Sequence, residues 1–114
     1  MKKDPAIFLS HILESIKEIE KHIKNMTEEK FFKSVKTQDA VIRRLEIIGE
    51  TAKNLPLNFR KQHPEIDWRK IAGLCDILIH HYFGVDLEEI WGVIAKRLPE
   101  LKKQITILLQ DIFL

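Results

Sequence analysis

Asp67-Trp68-Arg69-Lys70-Ile71-Ala72-Gly73-Leu74-Cys75-Asp76-Ile77-Leu78-Ile79-His80-His81-Tyr82-Phe83-Gly84 reads as one amphipathic helix. Asp67 is placed to cap it, because a carboxylate there accepts from N–H groups that the first turn leaves without partners. Ile71, Leu74, Leu78 and Ile79 recur at helical spacing, which brings apolar side chains to a common face. Gly84 is suited to end the helix, since glycine enters a left-handed C-terminal turn without a Cβ clash. A helix with one apolar face must bury it against others of its kind, so the flanking segments decide the architecture.

Those segments carry the same period. Val41, Leu45, Ile48, Ala52 and Leu55 mark one face of a long helix beginning near Thr37, with Arg43, Arg44, Glu46, Glu50 and Lys53 mostly off that face. Further upstream, Asp4-Pro5 supplies a cap and a pre-set first helical residue, and Ile12, Ile16, Ile19 and Ile23 form a stripe on a helix running to about Asn25. Thr27 with Glu28 and Glu29 predicts a brief helical turn within the segment up to Lys36. Pro56 and Pro64 bracket Leu57 to His63, which reads as the main loop because the residue before a proline is pushed toward extended backbone. Downstream, Asp86 and Glu89 match a capping box opening a helix with Leu87, Ile90, Trp91 and Ile94. Pro99 suits the first position of a last helix, whose apolar face is Leu101, Ile105, Leu108 and Ile112.

No segment shows strand alternation, a linker or an internal repeat. The expectation is therefore an all-α fold in a single domain over residues 1–114. It is an up-and-down bundle of roughly four to five main helices, with short connections that make neighbours antiparallel. Phe113 and Leu114 leave the last turn apolar, either as a dimer patch shared with residues such as Trp91 or as a turn folded onto the core.

Composition narrows the function classes. A single cysteine, Cys75, allows no internal disulfide, and no charged-then-apolar leader opens the chain, so a reducing cytoplasm is expected. Apolar runs such as Ile77-Leu78-Ile79 and Ile107-Leu108-Leu109 fall far short of the roughly 18 residues of a membrane span. With 19 basic and 17 acidic residues the net charge is only +2, so any contact with nucleic acid must be local. The basic pairs Arg43-Arg44, Arg60-Lys61, Arg69-Lys70, Lys96-Arg97 and Lys102-Lys103 read as solvated helix faces. Arg69 and Lys70 carry more weight, since they share a helix with the reactive cluster at its far end.

In that cluster His80 exchanges protons near neutrality. Asp76, four residues before it, shares its face and can orient the imidazole or raise its pKa. Cys75, His63, His80 and His81 supply no second ligand pair at regular spacing, so no metal and no cofactor is expected. Cys75 has no base at a suitable spacing for nucleophilic work, and the plain reading is a small buried side chain. Tyr82 by itself packs a ring and bonds a hydroxyl. His81 reads as charge compensation at a helix C-terminus, and Glu46 with Glu50 as a charged face.

Residues 67–86 as a whole resemble the signature of the HepT-like toxins, a branch of the HEPN ribonuclease superfamily. Gln38-Asp39-Ala40-Val41-Ile42-Arg43-Arg44-Leu45-Glu46-Ile47-Ile48-Gly49-Glu50 is similar to that family's second-helix signature, and Trp91 and Leu98-Pro99 fall where related chains have them. The resemblance covers nearly the whole chain. It implies a metal-independent endoribonuclease with RNA as substrate, its cleft assembled across a homodimer from the pattern Arg-x4-His-x-Tyr. On this chain His80 matches the catalytic histidine, Tyr82 the motif tyrosine and Asp76 the supporting polar residue, while Cys75 stands at the arginine position.

A thiol offers neither the permanent charge nor the planar fork of donors that a guanidinium brings to phosphate. By analogy with deleting one donor to a developing anion, the implied loss is about 3–4 kcal/mol, or roughly 10²–10³ in rate. The resemblance further implies the toxin half of a toxin–antitoxin pair, with a minimal nucleotidyltransferase antitoxin as partner that adenylylates Tyr82. The alternative is a non-catalytic interaction module that keeps the antitoxin-binding surface and has lost cleavage.

Overall fold

Asp4 opens the first helix as its chemistry suggests: Oδ1 accepts from the Ala6 N–H at 3.0 Å, and Pro5 begins α1 (Pro5–Ile23). The computed structural model describes residues 4–80 and 86–113, residues 75–80 and 113 by their backbone alone. Asn25, at φ 65°, turns the chain out of α1, a left-handed position that asparagine tolerates better than most residues. Thr27 then caps α2 (Glu28–Lys33) by accepting from Lys30 N–H at 3.2 Å.

The next helix, α3 (Val35–Lys53), begins before Thr37 because Ser34 supplies the cap. Its Oγ accepts from Thr37 N–H at 3.3 Å and donates to Thr37 Oγ1 at 2.8 Å. Gln38 reaches back from this first turn and donates through Nε2 to the carbonyls of Phe31 (2.9 Å) and Phe32 (3.1 Å). The Phe31 carbonyl also accepts from Ser34 N–H at 3.2 Å, so the amide is a second donor there, and it ties both carbonyls at this helix end to α3.

The stretch expected to be the main loop is instead a short helix, α4 (Leu57–Gln62). Pro56 ends one helix and starts another: it stands just outside α4 with extended ψ, and its carbonyl accepts from Arg60 N–H at 3.2 Å. Phe59, 9% exposed, gives the turn an apolar residue to bury. Asp67 caps α5 (Trp68–His80) through Lys70 N–H at 3.1 Å. The proposed terminator Gly84 lies outside the described residues.

Asp86 caps α6 (Leu87–Gly92) through Glu89 N–H at 3.2 Å. No new helix is separated off by Pro99. A π turn over Val93–Arg97, in which Leu98 N–H bonds the Val93 carbonyl, joins α6 directly to α7 (Leu98–Phe113). In an uninterrupted α-helix the ring of Pro99 would meet the Ala95 carbonyl four residues back. A turn that takes in one extra residue moves that carbonyl away, and the α-helical ladder resumes at Leu98 with Pro99 in its first turn.

The helices associate as an up-and-down bundle in which α3 packs against both α1 and α5, and α7 against α1. Phe8 and His11, early in α1, line one cleft with Thr51 and Asn54 at the end of α3, so these two run antiparallel. Lys102 Nζ pairs with Glu20 Oε1 at 2.9 Å and fixes α7 on α1 in the same sense. The predicted stripes supply the core: Ile12, Ile16, Ile19, Val41, Ile48 and Ile105 are fully buried. Ile112 departs from its stripe at 43% exposed. All described elements are helical, no strand occurs among the described residues, and no helix of theirs is long and apolar enough to cross a membrane.

Candidate functional site

Positions 75, 76 and 80 of the reactive cluster lie on α5, and the start of that helix is held from several sides. Trp68, 6% exposed, donates through Nε1 to the His63 carbonyl at 2.9 Å. Its ring lies 6.2 Å from that of Phe59, which in turn contacts the His63 imidazole at 4.6 Å. His63 Nδ1 stands 3.2 Å from Glu65 Oε1, so this histidine serves the α4–α5 corner. Ile71 and Leu74 then bury the inner face of the helix.

The backbone of α5 continues helically through His80. Positions 76 and 80 are therefore about one turn apart, and positions 75 and 80 are separated by about 7.5 Å along the axis and about 140° around it. The side chains of Cys75, Asp76 and His80, and all of His81 and Tyr82, lie outside the described residues. Trp91 is half-buried, its ring 5.4 Å from that of Phe31, so α6 and α2 close against each other through these aromatics. Among the described residues no group of three or more His, Cys, Asp or Glu stands close enough to hold a metal ion.

Two basic pairs act as surface pairs usually do: Arg43 faces Glu46 at 3.6 Å, and Lys102 holds α1 to α7. Two others meet in a way the sequence did not signal. A groove of about 270 Å3 separates the first half of α5 from the π turn and α7. Lys70 of the Arg69-Lys70 pair and Arg97 of the Lys96-Arg97 pair both line it. The two walls run antiparallel, because Gln104 Nε2 donates to the Glu65 carbonyl at 3.1 Å at one end while Leu74 and Val93 line the other. Read along either wall alone, these cations belong to separate exposed pairs.

Comparison with known proteins gives a consistent assignment. The family model described as "Ribonuclease HepT-like" matches residues 12–108. A Methanocaldococcus jannaschii protein named "Gamma-glutamylcyclotransferase and putative RNase" is 51% identical over 112 residues, covering 98% of this chain; the chain spans 50% of that relative's length. A second protein of that organism, named "Putative RNase", is 46% identical over 97% of this chain and 92% of its own. The "Probable ribonuclease HepT" of Thermococcus cleftensis is 46% identical over 90% of this chain and 93% of its own. No solved structure matches the chain. With the family model spanning residues 12–108 of an all-helical bundle, and relatives this similar over most of the chain, the protein belongs to the HepT-like branch of the HEPN ribonucleases.

Proposed function

We propose that this chain, as a single domain in the cytoplasm, is the toxin component of a toxin–antitoxin pair and cleaves RNA as a homodimer without a metal ion. The observation that supports the reading most is the register of α5: a helix seated at Trp68 runs unbroken to His80 and carries positions 75, 76 and 80 of the Cys75-x4-His80-x-Tyr82 pattern in its last turns. Attack of a ribose 2′-oxygen on the adjacent phosphorus requires a base to take the 2′-hydroxyl proton and an acid to protonate the departing 5′-oxygen. One His80 takes each role, in the neutral and protonated form respectively. The P–O5′ bond breaks as the P–O2′ bond forms, leaving a 2′,3′-cyclic phosphate and a 5′-hydroxyl. Asp76, one turn before His80, orients the imidazole.

The divergence of about 140° between positions 75 and 80 supports a cleft built from two chains, because groups so disposed on one helix do not converge on one phosphate. Cys75 leaves the phosphorane without its cation, and Cys75→Arg is therefore expected to raise cleavage of single-stranded RNA by roughly 10²-fold or more. His80→Ala in that background should abolish the gain. The same substitution discriminates the second reading, a non-catalytic interaction module, which Cys75 itself favours. If Cys75→Arg folds yet cleaves no better than the parent, or unfolds because a guanidinium is buried without a partner, position 75 belongs to the core and the module reading stands.

Tyr82 is the proposed point of control. Transfer of an AMP unit from ATP to its hydroxyl, with release of pyrophosphate, by a minimal nucleotidyltransferase partner would add bulk and negative charge beside His80. Intact-mass measurement after incubation with that partner and ATP should show AMP adducts that vanish in Tyr82→Phe. An adduct that persists in that variant sinks the assignment.

A further inference from the structure

We propose that the groove between α5 and α7 is a second RNA subsite, which takes one unpaired base of the substrate on its apolar floor and the flanking phosphates on Lys70 and Arg97. The inference rests on RNA being the substrate, as argued above, and concerns where the strand lies beyond the scissile bond.

The groove has the size and lining for this occupant. At about 270 Å3 it falls just under the range of sites that enclose whole small-molecule ligands, so it holds a base with its sugar outside. Its floor is Ile66, Ile71, Leu74 and Leu101, each less than a tenth exposed. None of the described residues of the floor offers an aromatic ring for stacking, so an unpaired base is held by burial of its apolar face against these aliphatic side chains, with the cations taking the backbone phosphates.

Two cations and three carboxylates line the groove, and among the described residues the cations lack ion-pair partners. Glu65, Asp67 and Glu100 are the carboxylates, and the first two have local roles. Glu65 stands 3.2 Å from His63 Nδ1 and Asp67 caps α5, while Glu100 is exposed. Among the described residues no carboxylate lies within ion-pair distance of Lys70 or Arg97. The end where Gln104 binds the Glu65 carbonyl is bridged, whereas Leu74 lies toward the motif. Lys70 precedes His80 by ten residues, about 15 Å along α5, a distance a few nucleotides span.

The π turn contributes to the register of the groove. One inserted residue advances the following helix by about 100° relative to an uninterrupted α-helix, and Arg97, the last residue of the π turn, lines the groove opposite α5.

The test uses the full chain and a fluorescent single-stranded RNA with 2′-O-methyl groups, which cannot undergo attack by the 2′-oxygen. Lys70→Ala and Arg97→Ala should each weaken binding roughly three- to tenfold and lower the salt-dependence slope by about 0.7, the signature of one lost contact to single-stranded phosphate. Arg97→Lys should keep most of the affinity. Lys96→Ala, which removes the same charge from the same turn but outside the groove, should change binding less than twofold. Because general electrostatics would lower all three alanine variants alike, equal losses overturn the proposal, as does unaltered binding by Lys70→Ala and Arg97→Ala.

Titration with AMP, followed by methyl resonances of Ile66, Ile71 and Leu101, should shift those signals, and their silence overturns the base site. A parent that fails to cleave even as Cys75→Arg, while the groove variants lose affinity, refutes the nuclease reading and keeps the subsite. A parent that cleaves while the groove variants bind normally does the reverse.

Discussion

Asp4, Thr27, Ser34, Asp67 and Asp86 each place a side-chain oxygen within 3.0–3.3 Å of a backbone N–H in the first turn of a helix. Four of these caps were legible in the sequence because the chemistry is local: an oxygen-bearing residue precedes an apolar period, or an acid-rich turn in the case of Thr27. Ser34 was missed because it sits inside a mixed segment, and Gln38 because its partners belong to another helix. Asp67→Ala should lower unfolding free energy by about 1 kcal/mol, and Gln38→Ala by about 1 kcal/mol, since the Phe32 carbonyl loses this donor while the Phe31 carbonyl keeps Ser34 N–H. Urea denaturation of the single variants checks both. Equal midpoints for Gln38→Ala and parent would mean that water replaces the amide without loss. Within the site, position 75 is the residue at which pattern and chemistry part, and no neighbouring cation of α5 repairs it: Arg69 lies about three turns from His80.

The elements show where periodicity informs and where it fails. The stripes of α1 and α3, and Ile71 and Leu74 of the α5 stripe, were readable because each long helix repeats its apolar residues enough times for the period to be unambiguous. Residues 57–62 repeat nothing, and their helix follows from Phe59 finding the core and from Pro56 serving as a start. The continuity from α6 into α7 was hidden for a related reason, since Pro99 reads equally as a first residue or as an interruption, and only the π turn reconciles the two. The groove was out of reach for the same physical cause: Lys70 and Arg97 meet through tertiary packing. Gly92, just before the π turn, has helical dihedrals, and among the described residues no atom lies within 4 Å of an added Cβ. Gly92→Ala should therefore raise stability by about 0.5–1 kcal/mol through lost freedom of the unfolded chain, read as a higher melting temperature. A lower one would indicate that this junction uses conformations outside the helical region.

At the scale of the whole molecule, the homodimer and the single chain make opposite demands on α5. Position 73 precedes position 80 by seven residues, about two turns, so both lie on nearly the same face of the helix. Among the described residues of one chain a Cβ at Gly73 meets nothing within 4 Å, and Gly73→Ala should stabilise the isolated fold as Gly92→Ala does. If two protomers oppose their His80 faces, the same methyl enters the contact between helices. Overpacking of about 1–3 kcal/mol then weakens the dimer roughly five- to 150-fold. Light scattering of the parent should give a mass near twice 13.5 kDa at micromolar concentration, and Gly73→Ala should dissociate at higher concentration than the parent while melting no earlier as a monomer. RNA cleavage by Cys75→Arg should fall in parallel when Gly73→Ala is added, because each cleft draws on both chains. A variant that stays dimeric with undiminished cleavage would place the dimer contact on another face, and a strictly monomeric parent would remove the composite cleft altogether.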